Sequence, residues 1–336
     1  MQHAAGYRSF RDQTLHYFVQ RAHEGAPDGP LDSDPAAWRG ADLRGREDAW
    51  TVTLARDELA ELEAAMDRVE DRGLGMETVT AADVPLPRLA GRIAEWRREI
   101  ESGRGFVLVR GLPVDRWGEA RAALAFWAIG HHLGVPGAQN PDQELLGHVT
   151  DYGEAADQPY QRRYRTSGDI RFHCDAADAV GLLCLRTAAD GGESRIASSV
   201  TLFNEVARRR PVLVPRLFEP FKLDRRGEHR PGEPPYSEIA PCRFAEGRLR
   251  TFYHSDYFRS VTRHPEAGEL DPAAAELIEL YDALAASSEI HLEMWLEPGD
   301  VQLVSNHTIV HARTAYRDAP ERGRMRHLLR LWLSFE

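Results

Sequence analysis

The sequence predicts a mainly β protein with helical decoration, built as a barrel or jelly roll. Three observations lead there: helical periodicity early in the chain, a compact apolar run closed by glycine at 105–111, and many short β-prone runs after about residue 170. Helices early and strands late favour an all-β core braced from outside.

Each element follows from its spacing. Leu59, Leu62, Met66 and Val69 recur every three or four residues, as do Leu89, Ile93, Trp96 and Ile100, so each set lines one face of an amphipathic helix. A short apolar stretch at 50–54 precedes them. The run 105–111 reads as a buried strand entering a turn at Pro113, and a third helix is expected over 118–132. Strands are expected at 180–185, 249–253, 291–296, 301–304 and 328–333, interrupted by one helix over 272–284. Residues 1–48, rich in Gly, Pro, Asp and Arg, should form an irregular arm without chemistry. The remainder, 49–336, is expected to be a single domain, with helical bracing mainly at 55–135 and the jelly-roll core mainly at 105–111 and 170–336.

Composition narrows the function. Hydrophobic residues at 42% and charged residues at 28% are those of an ordinary folded protein. A net charge of −11 without a basic tail opposes a surface for phosphate backbones, so no nucleic acid partner is expected. Lys222 is the only lysine; arginine supplies the other cations and favours forked contacts to carboxylates. Cys174, Cys184 and Cys242 lack CxxC spacing and are too few for a disulfide framework. With no signal peptide or membrane span in view, a soluble cytoplasmic protein acting on a small molecule is expected, its oligomeric state left open.

His173-Cys174-Asp175 sets an imidazole and a carboxylate two residues apart, which on a strand point to one face while Cys174 points to the other. With a distant histidine they would form the two-histidine, one-carboxylate triad, which leaves one side of the ion open for cosubstrate and dioxygen. The same spacing recurs in His254 with Asp256, His264 with Glu266 and His291 with Glu293. Position favours His173, because a jelly roll joins strands well separated in sequence and His311 follows many strands later. His264 and His291 leave too few strands before the last histidines, Pro265 disrupts a ladder, and His254 loses room to the helix over 272–284. His307 competes with His311, but Thr308-Ile309-Val310 places His311 on a β-prone run and leaves His307 as a neighbour. From the residues alone, structural histidines remain an equal alternative to a metal centre.

Arg326, Leu328, Arg330 and Trp332 alternate and share one face of a strand. The apolar residues around them argue against a solvated edge, and a buried guanidinium calls for an anion such as the far carboxylate of 2-oxoglutarate. Gly191-Gly192-Glu193-Ser194 reads on its own as an ordinary hairpin turn, with a serine placed where it could donate to the same carboxylate.

In this order, Phe-His-Cys-Asp at 172–175, Gly-Gly-Glu-Ser at 191–194, Ile-Val-His-Ala-Arg at 309–313 and Arg-His-Leu-Leu-Arg at 326–330 resemble the motifs of the TauD/TfdA-like, clavaminate-synthase-like Fe(II)/2-oxoglutarate dioxygenases. The resemblance runs from about residue 105 to the C-terminus. It implies a double-stranded β-helix and a dioxygenase using Fe(II), 2-oxoglutarate and O2. By the same resemblance His173, Asp175 and His311 are the catalytic iron ligands, Arg326 is the cosubstrate clamp with Ser194 its helper, and Arg330 lies near cosubstrate or substrate. Arg322 and Arg324 are outside candidates for the clamp. Asp175, where halogenating relatives carry a small residue, argues against halogenation.

The expected reaction is hydroxylation of an amino acid or small natural-product intermediate, with desaturation or ring closure as variants and succinate and CO2 as coproducts. Segments 147–153, 160–171 and 225–236 are expected to line the substrate pocket. Two other readings stay open: a zinc hydrolase, although no HExxH motif is present, and a non-catalytic jelly-roll binding module.

Overall fold

The computed structural model describes residues 6–19, 22–153, 163–322 and 325–336. Helices α1 (Phe10–Val19) and α2 (Gly40–Leu43) precede β1 (Thr51–Thr53), α3 (Arg56–Asp71), α4 (Leu89–Ser102), β2 (Phe106–Arg110) and α5 (Val114–Leu133). Next come β3 (Val135–Gly137), β4 (Gly147–Val149), β5 (Ile170–His173), β6 (Ala179–Arg186), β7 (Asp190–Gly191), β8 (Ser194–Ser198) and α6 (Ser199–Arg209). Hairpin strands β9 (Phe221–Asp224), β10 (Tyr236–Ile239), β11 (Cys242–Ala245) and β12 (Arg248–Thr251) lead to α7 (Ser255–Ser260) and α8 (Pro272–Ala285). The chain closes with β13 (Leu292–Met294), β14 (Val301–Ser305), β15 (Ile309–Arg313), β16 (Tyr316–Arg317) and β17 (His327–Ser334).

Two sheets carry the site. The larger runs β1-β2-β14-β6-β17-β3 with β4 also on β17, and the smaller runs β13-β8-β15-β5. Strand alternation sorts their side chains into separate cores. Leu329, Leu331 and Leu333 of β17 join Val107, Val109, Val301 and Leu303 against Leu62, Met66, Ile93, Phe126 and Trp127 of the bracing helices. Leu328 and Trp332 turn the other way, into a core shared by Phe106, Val180 and Val304 of the larger sheet and Ile196, Leu292 and Ile309 of the smaller. Beyond the smaller sheet, Ala197, Val310 and Ala312 pack with Phe203, Val206, Leu277 and Tyr281 of α6 and α8. Each fully buried leucine contributes about 1.5–3 kcal/mol. The result is two facing sheets between helical layers, the mainly β jelly roll the sequence predicts.

Three local differences have physical causes. Residues 6–48 are not irregular throughout, since Phe10–Val19 is a helix. Its inward residues are polar: Ser334 donates to Gln13 Oε1 at 2.6 Å, His16 meets Asp178 at 3.1 Å, and the fully buried Tyr17 donates to the Asn306 carbonyl at 2.9 Å. Apolar periodicity therefore gives little sign of it. In the C-terminal half, α6 and α7 join the one expected helix. The β-branched Val200, Thr201 and Val206 dilute the helical signal of α6, while Ser198 caps it by accepting from the Thr201 N–H at 3.0 Å. Third, α5 begins at Val114 with a kink at Gly118, whose φ is 72°. The three cysteines are buried without a disulfide, and among the described residues no helix is long and apolar enough to cross a membrane.

Candidate metal centre and cosubstrate pocket

β5 and β15 are neighbours, and their register sets His173 directly opposite His311. The two rings lie 4.3 Å apart between centroids at an interplanar angle of 54°. Just past the end of β5, the Asp175 N–H donates to Asn306 Oδ1 at 3.0 Å, and Cys174 turns away to the Ile309 carbonyl. One ligand atom each from His173, Asp175 and His311 can be chosen so that all lie within 4.8 Å of one another.

The electrostatics fit a cation. Asp175 is 8% exposed, and its Oδ2 has no hydrogen-bond partner among the described residues. That oxygen lies 3.6 Å from His311 Nε2 and 3.5 Å from Arg330 Nη1. Burial opposes ionisation of Asp175, yet Arg330 and then the two imidazoles hold its carboxyl well below the usual carboxylate range. His173 Nδ1 is 2.9 Å from the Arg171 carbonyl, so it donates there and leaves the Nε2 lone pair available. Burial, then repulsion from His311, lowers the His173 pKa to about 4, so this ring is neutral at physiological pH. An ionised carboxylate with an unfilled lone pair beside two imidazoles suits a divalent transition metal.

The competing histidines have other partners. His264 contacts Asp224 at 3.2 Å, His291 Nδ1 lies 3.1 Å from the Ala285 carbonyl, and His307 meets Asp178 at 2.7 Å while stacking on Tyr17. His254 is different. It bridges to His173, its ring centroid is 5.1 Å from the His173 ring, and it stacks on Tyr257 at 3.5 Å. Sequence reasoning dismissed His254 as a ligand and did not foresee it beside the site; its own His-x-Asp spacing was the available signal. A further group, Glu119, His148 and His327, shares its space with Arg186, whose Nη2 is 2.8 Å from His327 Nδ1.

Arg330 lies on β17 and Arg326 immediately before it. Arg330 sits at the Asp175 end: its Nε donates to Gln139 Oε1 at 2.7 Å, and its guanidinium lies over Tyr164 and Trp332. Arg326 is 5% exposed, donates to the Gly192 carbonyl at 3.4 Å and lies over Tyr316. The turn before β8 makes this approach possible. Gly192 has φ 87°, and a Cβ there would stand 2.9 Å from Arg326 Nε. Ser194 is buried and its hydroxyl donates to Gln302 Oε1 at 2.8 Å. The sequence reading gave no role to Gln302, Gln139, Asn306, Arg313 or Tyr316. Of these only Arg313 carried a signal, two residues beyond His311 and hence on its face. Arg324 and the side chain of Arg322 lie outside the described residues, as do 160–162 of the expected pocket segments.

The class of protein is now definable. The description "Taurine catabolism dioxygenase TauD, TfdA family" matches residues 70–332, and the chain belongs to this dioxygenase family. That membership sets aside the zinc-hydrolase and binding-module readings. The chain is 32% identical to FR-33289 synthase of Streptomyces rubellomurinus over 90% of its own length and 89% of that protein. It is 28% identical to a taurine hydroxylase-like protein of Stachybotrys chartarum, over 98% of its length and 84% of the other. In fold it is similar to asparagine oxygenase solved with Fe(II), 3-hydroxyasparagine and succinate, with TM-score 0.66, 19% identity, and 85% and 93% of the two chains covered. It is likewise similar to the non-heme iron oxygenase OrfP solved with Fe and alpha-ketoglutaric acid, with TM-score 0.61, 17% identity, and 85% and 94% covered.

Proposed function

We propose that this chain is an Fe(II)- and 2-oxoglutarate-dependent dioxygenase that hydroxylates an amino acid or small natural-product intermediate, with desaturation or ring closure as variants. His173, Asp175 and His311 hold the iron, Arg326 with Ser194 holds the far carboxylate of 2-oxoglutarate, and Arg330 borders the metal end of the pocket. The observation that carries this reading is the buried Asp175 oxygen that accepts no hydrogen bond among the described residues, set beside two facing imidazoles and the Arg330 guanidinium.

With 2-oxoglutarate and O2, the iron supplies the C–H oxidation, releasing succinate and CO2. The protein's part is preorganisation. Arg171 fixes the tautomer of His173, Asn306 orients Asp175, and Arg330 balances the carboxylate's charge until a cation arrives. Tyr164 and Trp332, both buried, limit water beside Arg330. The substrate class is supported by the relatives, which include an asparagine oxygenase and a synthase of FR-33289. The enzyme works in the cytoplasm as a single domain over 49–336.

Anaerobic addition of Fe(II) and 2-oxoglutarate should give a weak visible charge-transfer band. A screen of amino acids and related metabolites should then find one that stimulates succinate release. Absence of the band in the wild type would overturn the reading.

A further inference from the structure

β15 presents His311 to the interior and, two residues later, Arg313, which lies in register with Ser194 of β8. Arg313 is a cation only 6% exposed. Its Nη2 donates to the carbonyls of Thr166, at 2.8 Å, and Gly168, but its Nε and Nη1 are buried without a partner among the described residues. Its guanidinium lies 4.8 Å from the centroid of the Tyr316 ring, and that of Arg326 lies 5.1 Å from the same centroid. Arg326 Nη1 and the Tyr316 hydroxyl are also buried and make no close hydrogen bond among the described residues, although the two groups interact weakly with each other.

Two like charges on one ring, each with donors left over, form a costly arrangement unless an anion completes it. Asp151 and Asp169 are the acidic groups that face Arg313 at longer range. A role confined to stapling residues 166–168 would use Nη2 alone and leave Nε and Nη1 unexplained.

We propose that Arg313 is a second guanidinium of the cosubstrate pocket, receiving with Arg326 and the Tyr316 hydroxyl the far carboxylate of a 2-oxo dicarboxylic acid. This rests on the reading that Arg326 faces that carboxylate. Through Thr166 and Gly168 the same side chain ties the pocket to the segment leading into β5 and His173. A forked cation on each side gives the carboxylate more donors than one arginine can supply.

The test compares 2-oxoglutarate with 2-oxovalerate, which has the same carbon chain without the far carboxylate, by anaerobic titration of the Mn(II)-loaded protein. The wild type should prefer the diacid by about 100-fold or more. Arg313→Met should shrink that preference about 10-fold or more while 2-oxovalerate affinity stays within about twofold, and Arg313→Lys should fall between. An unchanged preference, or equal weakening of both ligands, overturns the proposal and leaves Arg313 a structural staple. If Arg313→Met fails to fold, the Lys variant supplies the ratio. A wild type without preference, or Arg326→Met leaving it intact, sinks the parent reading; loss in Arg326→Met alone sinks only this one.

Discussion

His311 stands directly across an antiparallel strand pair from His173, with 4.3 Å between ring centroids, and register alone creates the contact. A one-residue slip would send one imidazole to the opposite face of the sheet. Removing a ligand should therefore disable the centre without unfolding it. His311→Ala and Asp175→Ala should each lower Fe(II) affinity beyond the roughly 10–100-fold loss typical of outer-sphere partners. Metal analysis after anaerobic reconstitution, with circular dichroism as the fold control, is the check. Stoichiometric iron in His311→Ala would refute the ligand set.

Arg330 is the nearest cation to the buried Asp175 oxygen, at 3.5 Å. Arg330→Leu leaves that carboxylate poorly compensated, so the metal-free variant should lose about 3–5 kcal/mol of stability. Mn(II) should raise its melting temperature more than that of the wild type, because the ion takes over the missing charge. Equal shifts with metal in both proteins would contradict this account.

Gly299 forms the turn entering β14 with φ 92°, and a Cβ there would lie 2.0 Å from the Leu112 carbonyl oxygen. Gly299→Ala combines a left-handed backbone with a backbone clash. A loss of at least about 2 kcal/mol in urea unfolding is expected. A change below about 0.5 kcal/mol would show that the turn relaxes freely.

His131 on α5 meets Trp127 edge-on, and its Nε2 is buried without a partner among the described residues. Burial, then repulsion from His132, lowers its pKa from 6.5 to about 4. The unfolded chain therefore takes up this proton first. The stability contribution is complete above pH 6.5 and is lost as pH falls towards about 4, at about 1.4 kcal/mol per pH unit within that window. His131→Gln should lose less stability than the wild type between neutral pH and pH 5, read from urea midpoints. Identical slopes would count against the assignment.

Much of the site was legible because alternation is local. The spacing of His173 and Asp175 predicts a shared face, although β5 ends at His173 and Asp175 stands just beyond it. The alternation of Leu328, Arg330 and Trp332 likewise matches β17, whose Leu328 and Trp332 enter the core between the sheets, while Arg326 stands just before the strand, beyond a register shift at His327 and Leu328. The helices with unbroken apolar stripes, α3, α4 and α8, were legible for the same reason. Where inward residues are polar, as Gln13 and His16 are on α1, the stripe disappears and the element with it. His254 was dismissed on strand counting, but the bridge that brings it to His173 depends on backbone pairing distant in sequence.

By itself, then, the sequence determined which side chains point the same way along each strand, because that depends only on a two-residue repeat within one segment. The tertiary structure alone decided which of them meet. It set Arg330 beside Asp175, placed Arg326 and Arg313 over one tyrosine, and locked the N-terminal helix onto buried polar groups. Those meetings follow from sheet register and layer packing, which join residues from distant parts of the chain and leave no periodic trace in any one of them.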